Sequence, residues 1–194
     1  MLIMEQIIIM AATISVLLFG IIGIIDGFYY HLWKFKLHKH PETRFEHWTH
    51  SIRAAAFLAL LYLLFLYDFG GPYLLIAVGI VFLDIVVLVI DLIAEEDSRQ
   101  KLGGLPHKEY IVHVIANALH YIALALILVG KPLASWDIDA PIYISREFPR
   151  FTELVAFNLM PGVTLLVLFH FLLMNKQAAH LFDVLQQKLI SKNK

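Results

Sequence analysis

Carboxylate and imidazole side chains recur in two similar groups along this chain, at the ends of long apolar runs. The first group comprises Asp26, His31, Glu46, His47 and His50, and the second comprises Asp91, Glu95, Glu109 and His113. Corresponding members lie 63 to 65 positions apart, and both groups contain the pattern Glu-x-x-x-His. Residues four apart share a helical face, so each pattern presents a carboxylate and an imidazole to the same ligand. Such donors suit iron, manganese or zinc, and we predict that these residues hold metal.

The roles of these residues follow from their donor types. The predicted bridging or terminal carboxylates are Asp26, Glu46, Asp91 and Glu109. The predicted terminal imidazoles are His50 and His113. The reserve ligands, or residues that support the ligands, are His31, His47 and Glu95.

A second set of polar residues continues both groups into the apolar runs. Asp84 lies seven residues before Asp91 and His120 seven residues after His113, so each shares a helical face with its group. Asp84 lies eleven residues before Glu95, and His120 lies eleven residues after Glu109. Both therefore lie at a similar depth, roughly 16 Å inside the helix at 1.5 Å per residue, and we expect them to pair. An acid there costs about 2.5–3.5 kcal/mol to insert, which favours a polar partner over lipid. The residues expected to support the ligands or relay protons are Asp84, Asn117, His120, His170 and Arg53.

Several of these residues also have a purely structural interpretation. Thr43-x-x-Glu46 matches a capping box, and acids in a first helical turn complement the helix dipole, so Glu46 and Glu109 could serve only as caps. Asp91 and Glu95 lack that explanation, because acids at a helix C-terminus oppose the dipole. The loop and tail histidines His38, His40, His107 and His180 are expected to be solvated. For the whole pattern, the alternative is an ancestral duplication kept only for structure.

Composition indicates that membrane helices position these groups. The 194 residues are 60% hydrophobic and 16% charged, with a mean hydropathy of +0.75, whereas soluble domains average about half apolar and a quarter charged. Apolar runs long enough to cross about 30 Å of hydrocarbon lie at roughly 4–31, 47–67, 72–94, 109–130 and 152–174. We predict an all-α integral membrane protein with five transmembrane helices. The absence of cysteine excludes thiolate metal sites, disulfides and c-type haem.

The repeat and the charges predict how these helices are arranged. The first four should form a bundle of two duplicated helical hairpins, at about 22–70 and 84–132. Twelve lysines and arginines fall on one side of the spans, and Lys131, Arg146 and Arg150 on the other. By the positive-inside rule the N-terminus is outside and the C-terminus cytoplasmic, which places both groups at the cytoplasmic boundary. The expected location is the inner membrane of a bacterium.

The end of the chain has a different character. We predict a single transmembrane domain over 1–175 and a cytoplasmic tail over 176–194. In the tail, Leu181, Phe182, Leu185 and Leu189 share one helical face, as in an amphipathic helix at the membrane interface. A helix that binds a partner fits the same pattern.

Four helices that each contribute a carboxylate, two of them with a histidine, resemble the ferritin-like di-iron and di-manganese carboxylate bundles. The resemblance covers about 26–120. The chain departs from that class in its Glu-x-x-x-His spacing, where the class has Glu-x-x-His, and in the presence of His31 beside an aspartate. The resemblance implies two metal ions, iron first, with manganese or zinc as alternatives.

These observations favour a membrane-bound di-metal oxidoreductase that uses dioxygen or a quinone and acts on a lipid-soluble substrate, such as an acyl chain, a hydrocarbon or a quinone. A haem b electron carrier is a second possibility. Its candidate axial ligands are His50, His113, His120 and His170. A proton or metal-ion transporter would use Asp84, Asp91 and His120 as a relay. An accessory subunit of a larger membrane complex also fits, and the net charge of -1 gives no reason to expect nucleic acid.

Overall fold

The computed structural model describes residues 3–100, 103–143 and 149–192. The described residues form six α-helices: α1 Ile3–Ile24, α2 Arg44–Leu60, α3 Gly71–Gln100, α4 His107–Val129, α5 Arg150–Leu173 and α6 Lys176–Lys192. Short 3-10 helices lie between them, at Leu37–Lys39, Pro41–Thr43 and Leu133–Trp136. The all-α prediction is confirmed. Arg146, which the sequence analysis placed on the outer side, lies outside the described residues.

Among the residues that the structure describes, five helical segments are long and apolar enough to cross a membrane. They cover Ile3–Lys34, Pro41–Leu66, Gly71–Gln100, His107–Val129 and Arg150–Leu173. Each contains most of one predicted span. Large apolar side chains point outward along these segments, with Phe82 69% exposed and Phe157 67% exposed. An apolar surface of this kind indicates contact with a membrane, so the five predicted spans are consistent with the structure.

Two of these segments end in π-helix, in which each N–H bonds to the carbonyl five residues earlier. The first continues α1 over Ile25–Lys34, and the second continues α2 over Leu61–Leu66. Residues three and four apart share a face of an α-helix, whereas in a π-helix residues five apart come together. Asp26 and His31 are five apart, so the π-helix places both on one side of the segment.

The closest helix pairs join the two halves of the chain. α1 lies along α4, α2 lies along α3, and α5 packs against both α1 and α2. Apolar side chains between them form a common core that includes Ile9, Val16, Leu60, Leu74 and Ile127. As a result, the ends of α1 and α3 meet the beginnings of α2 and α4 at one end of the bundle.

α6 folds back onto this same end of the bundle. Ala179 packs with Leu32 and Leu173, and the Gln186 side chain donates a hydrogen bond of 3.1 Å to the Trp33 carbonyl. Of the apolar tail residues predicted to share a face, Leu181 and Leu185 are exposed, Phe182 packs partly inward, and the side chain of Leu189 lies outside the described residues. The tail is therefore a docked helix with two exposed leucines.

The connection between α2 and α3 is fixed at the opposite end. The Lys131 ammonium donates hydrogen bonds to the Asp68 carboxylate at 2.6 Å and to the Phe69 carbonyl at 2.9 Å. Gly71 begins α3 with a φ of +56°. A Cβ at this position would lie 2.5 Å from the Ala140 carbonyl oxygen. Both the backbone conformation and the close approach therefore require glycine.

We expect Gly71→Ala to destabilise the protein by about 1–3 kcal/mol, the usual cost of a strained backbone conformation, with the clash adding to it. Gly79→Ala is the matched control in the same helix, because a Cβ at Gly79 meets nothing within 4 Å. It should be neutral or slightly stabilising, since alanine is the better helix former. Thermal unfolding in detergent measures both. Equal melting temperatures for the two variants would contradict this account of the turn.

Candidate metal centre

Predicted ligands from both halves of the chain converge at one end of the bundle. Asp26 and His31 come from the π-helical segment, His50 from α2, Glu95 from α3, and Glu109 and His113 from α4. Their donor atoms form one group of Asp26, His31, His50 and His113, and a second of Glu95, Glu109 and His113. Within each group the donors lie within 4.8 Å of one another. Ligand bonds are about 2.0–2.2 Å, so small side-chain movements would bring each group around one ion.

The first group is rich in nitrogen. The Nε2 atom of His31 lies 3.3 Å from Nε2 of His113 and 3.6 Å from Oδ1 of Asp26. The His113 Nε2 atom is 2.9 Å from the same aspartate oxygen. The His50 ring meets the His31 ring edge-on, with centroids 4.2 Å apart. Three imidazoles and one carboxylate therefore face a common point.

The second group is rich in oxygen. Nδ1 of His113 lies 2.9 Å from Oε1 of Glu95, and Oε1 of Glu109 lies 3.8 Å from Nε2 of His31. Among the described residues, Asp26 Oδ1, Glu95 Oε1 and Glu109 Oε2 are buried and accept no hydrogen bond. Buried polar atoms without such bonds are costly. Coordination of a cation would satisfy all three oxygens, so the donor set fits a metal.

Arg99 holds the two glutamates of the repeated pattern together. Its guanidinium lies 2.9 Å from Glu46 Oε1 and 2.6 Å from Glu109 Oε1, stacks on the Phe35 ring, and is 1% exposed. The Ser98 hydroxyl also donates to Glu46. The sequence analysis counted Arg99 only among the cytoplasmic charges. Its place four residues after Glu95, on the face of α3 that carries the acids, was the signal for its role.

The capping interpretation of Glu46 is wrong. Thr43 makes no side-chain cap at the start of α2, because its hydroxyl donates to the Leu37 carbonyl at 2.6 Å. Glu46 faces Arg99 and Ser98 instead. Glu46 therefore serves in an ion pair between helices.

Asp91 supports His50 from α3. Its Oδ1 lies 3.1 Å from His50 Nδ1 and accepts a hydrogen bond from the Thr49 hydroxyl. The same His50 nitrogen donates a 3.0 Å hydrogen bond to the Glu46 carbonyl oxygen. Because Nδ1 is engaged in this way, Nε2 is the nitrogen that His50 offers to the first group.

A second arginine lies deeper in the bundle. Arg53 lies 3.3 Å from Asp84 and 3.7 Å from Asp91, and it donates a 2.7 Å hydrogen bond to the Asn117 oxygen. Asp84 also meets Nε2 of His120 at 3.0 Å, so the predicted pairing of Asp84 with His120 is confirmed. The Tyr121 hydroxyl donates to the same aspartate at 2.8 Å, a contact that the sequence analysis did not anticipate.

His47 and His170 form a separate pair beside the ligand groups. Their rings stack with centroids 5.0 Å apart, and His47 Nε2 donates a 3.0 Å hydrogen bond to the His170 carbonyl. His170 also lies 3.5 Å from the Ser51 hydroxyl. His47 was a predicted ligand, but the structure places it in neither donor group. The same is true of Glu46 and Asp91, so three of the nine predicted ligands support their neighbours.

The expectation that His38 is solvated is wrong. The side chain is buried against α6, where Nε2 lies 3.7 Å from the Asp183 carboxylate. Burial lowers the pKa of His38 below its ordinary value, and the nearby Asp183 only partly opposes this effect. Lys39 also pairs with Asp183, at 2.7 Å. This second contact helps to hold α6 over His38. His107 and His180 are exposed, as expected.

A cavity of about 110 Å³ adjoins the candidate metal centre. Its walls on α4 include both His113 and His120, seven residues apart, so it extends about 10 Å along the helix at 1.5 Å per residue. Its polar wall includes Asp26, His50, Arg53 and Asp91. Its apolar wall includes Phe19, Gly23, Phe57, Val163 and Leu166. Polar groups that can bind metal thus face an apolar space inside the bundle.

Comparison of the sequence with protein-family models and with curated proteins, and of the structure with solved structures, finds no match. The functional argument therefore depends on the geometry of the site.

Arg99→Met should destabilise the protein by about 3–5 kcal/mol, because removing one partner leaves buried carboxylates without their cation. Adding Glu46→Gln and Glu109→Gln to this variant should recover part of the loss, since the uncompensated charges disappear. Arg44→Met, at an exposed position at the same end of the bundle, is the control. Unfolding in detergent gives the comparison. If Arg99→Met and the Arg44→Met control have the same unfolding free energy, the ion pair does not support the fold.

Proposed function

We propose that this chain is a membrane-bound di-metal oxidoreductase that acts on a lipid-soluble substrate. The observation that carries the proposal is the convergence of Asp26, His31, His50 and His113 on one point, with Glu95 and Glu109 beside it. Four different segments supply these side chains, so their convergence is a property of the fold. Iron is the first candidate, because carboxylate and imidazole donors suit iron, with manganese or zinc as alternatives.

The charges of the cluster support cations as its ligands. Its carboxylates are Asp26, Glu46, Asp84, Asp91, Glu95 and Glu109. The two arginines that contact them are Arg53 and Arg99. With the carboxylates ionised and the histidines neutral, as they are when they bind metal, the six carboxylates exceed the two guanidinium groups by four negative charges. Two divalent ions would balance that excess, as expected when buried charges are paired or coordinate metals.

The surrounding residues would prepare the site for redox chemistry. Metal ions of this type supply electron transfer and activation of dioxygen. Asp91 and the Glu46 carbonyl orient His50, and Arg99 fixes Glu109, so the donors are held in place before an ion binds. Arg53, Asp84 and His120 form a polar path from Asp91 along the cavity, which can hold or move a proton.

The cavity also supports the choice of substrate. Its apolar wall lies between helices whose outer faces are apolar, so a lipid-soluble molecule reaches it through the bilayer without crossing water. Gly23 of α1 leaves room for such a molecule, since a Cβ at this position would meet nothing within 4 Å. An acyl chain, a hydrocarbon or a quinone head group fits this combination of an apolar space and nearby metal.

The contacts at the site also support the proposed duplication of two helical hairpins. Asp26 pairs with His113, and their counterparts in the repeat, Asp91 and His50, pair with each other. In the repeat α1 corresponds to α3, and α2 corresponds to α4. The close pair of α1 with α4 therefore corresponds to the close pair of α3 with α2. Glu46 and its counterpart Glu109 share Arg99. These matching contacts are what a two-fold relation between the halves would produce.

Metal content provides the principal test. His113→Ala and Glu109→Ala should lower bound metal and activity in a protein that still folds, because changes even around a ligand cost 10–100-fold in metal affinity. Glu109→Gln should do the same if the carboxylate binds metal. His107→Ala, two residues before Glu109 and exposed, is the control. Elemental analysis and thermal unfolding measure metal per chain and stability.

A purely structural role for Glu109 predicts a different result. As a partner of buried Arg99 alone, Glu109 would contribute up to about 3–5 kcal/mol of stability, and its loss would leave the metal content unchanged. Normal metal in both Glu109 variants would therefore remove Glu109 from the site. The optical spectrum, together with elemental analysis, distinguishes a di-iron centre from the haem b alternative. A Soret band indicates haem b, and two irons per chain without that band indicate a di-iron centre.

A proton or metal-ion transporter is the second candidate function. The polar path through Asp91, Arg53, Asp84 and His120 favours it, because this path continues the ligand cluster into the bundle. The test compares proteoliposomes that contain the wild-type protein with proteoliposomes that contain the Asp84→Asn variant. Movement of protons or metal ions by the wild type but not by the variant would support transport over oxidation. An accessory subunit of a larger membrane complex is a further alternative.

The proposed orientation places the metal centre at the cytoplasmic boundary of a bacterial inner membrane. The chain lacks cysteine, so single cysteines report accessibility without background. His180→Cys on α6 should react with an impermeant thiol reagent only from the cytoplasmic side, and Leu133→Cys in the α4–α5 connection only from outside. Labelling after detergent solubilisation controls for reactivity of each cysteine. The reverse pattern would invert the topology.

A further inference from the structure

His113 differs from the other histidines of the site because both of its ring nitrogens face ligand groups. Nε2 lies 2.9 Å from Asp26 Oδ1 and 3.3 Å from His31 Nε2. Nδ1 lies 2.9 Å from Glu95 Oε1. His113 is also the residue that the two donor groups share. The two nitrogens of an imidazole point in different directions, so one ion cannot bind both.

The hydrogen bonds of His50 provide the contrast. Nδ1 of His50 donates to the Glu46 carbonyl, which leaves a single nitrogen for metal. The surroundings of His113 differ, because a carboxylate oxygen faces each of its ring nitrogens at 2.9 Å, Asp26 Oδ1 at Nε2 and Glu95 Oε1 at Nδ1. Donors of one ion lie about this far apart when the metal–ligand bonds are about 2.0–2.2 Å long. Each carboxylate is therefore placed to share an ion with the nitrogen that it faces.

We propose that His113 bridges two metal ions as an imidazolate, with Asp26, His31 and His50 around the ion at Nε2, and Glu95 and Glu109 beside the ion at Nδ1. The inference rests on the proposed di-metal function and revises the role of His113 from a terminal to a shared ligand. Binding of the second ion displaces the remaining ring proton, which leaves to solvent. The two positions are unequal, because one offers mainly nitrogen and the other mainly oxygen.

The bridge predicts a larger separation between the ions than in a carboxylate-bridged centre. Two metal–nitrogen bonds of about 2.0–2.1 Å on opposite sides of an imidazole place the ions about 6 Å apart. Two-metal sites with shared oxygen ligands have separations of about 3.5–4 Å. The separation therefore distinguishes this arrangement from the ferritin-like one that the sequence resembles.

Cu²⁺ is a suitable probe, because it binds both nitrogen and oxygen donors tightly and is paramagnetic. The purified full chain in detergent should take up two Cu²⁺ ions per chain. Coupling through the bridge should remove most of the electron paramagnetic resonance signal of isolated Cu²⁺. Glu95→Gln should hold one ion per chain with its full signal, since the oxygen-rich position loses a ligand. Glu96→Gln, at the neighbouring exposed position, should behave as wild type.

The possible results separate this inference from the proposed function. Two ions at about 3.5–4 Å by X-ray absorption, or two ions with uncoupled signals, would overturn the bridge and leave a di-metal centre. The wild type could instead bind one ion per chain, and Glu95→Gln could lose this ion or bind it more weakly. That result would overturn the bridge and make Glu95 a support for His113. No bound metal would overturn both proposals. If Glu95→Gln fails to fold by circular dichroism, the ion count and signal of the wild type decide the question.

Discussion

The cost of placing ionised side chains among apolar helices is the constraint on which this structure depends. A carboxylate removed from water needs a cation or several hydrogen bonds, and lipid supplies neither. Two arginines meet much of this requirement, because each contacts two acids. Arg99 joins Glu46 of α2 to Glu109 of α4, and Arg53 joins Asp84 and Asp91 of α3 from α2. These ion pairs fix the helices against each other, because each arginine lies on a different helix from the acids that it contacts.

The same constraint explains why the candidate ligands are held in advance. Once Arg99 and Arg53 have engaged their acids, Asp26, Glu95 and Glu109 retain buried oxygens that accept no hydrogen bond. Such atoms raise the free energy of the folded state unless a cation binds them. Metal binding would therefore stabilise the fold while it completes the site, which links the occupancy of the site to the stability of the bundle.

The π-helical end of the first span shows how local geometry serves the site. Asp26 and His31 are five residues apart, and an α-helix would direct them to different sides. The π-helical hydrogen bonds over Ile25–Lys34 bring both toward His113. Rare backbone geometry of this kind is frequently found at functional sites. Its position at the candidate metal centre, together with the burial of His31, indicates that the segment is arranged around the candidate ligands.

The sequence by itself determined the membrane class, the five spans and most members of the site, because long apolar runs and repeated Glu-x-x-x-His patterns are local signals along one chain. It also determined the pairing of Asp84 with His120, since both lie at the same depth on their helices. Only the tertiary structure decided which predicted ligands share a donor group. Glu46 turned to Arg99, His47 to His170, and His38 became buried under α6. These outcomes depend on which helices are neighbours and on a π-helical register, and neither is encoded in the spacing of residues along a single helix.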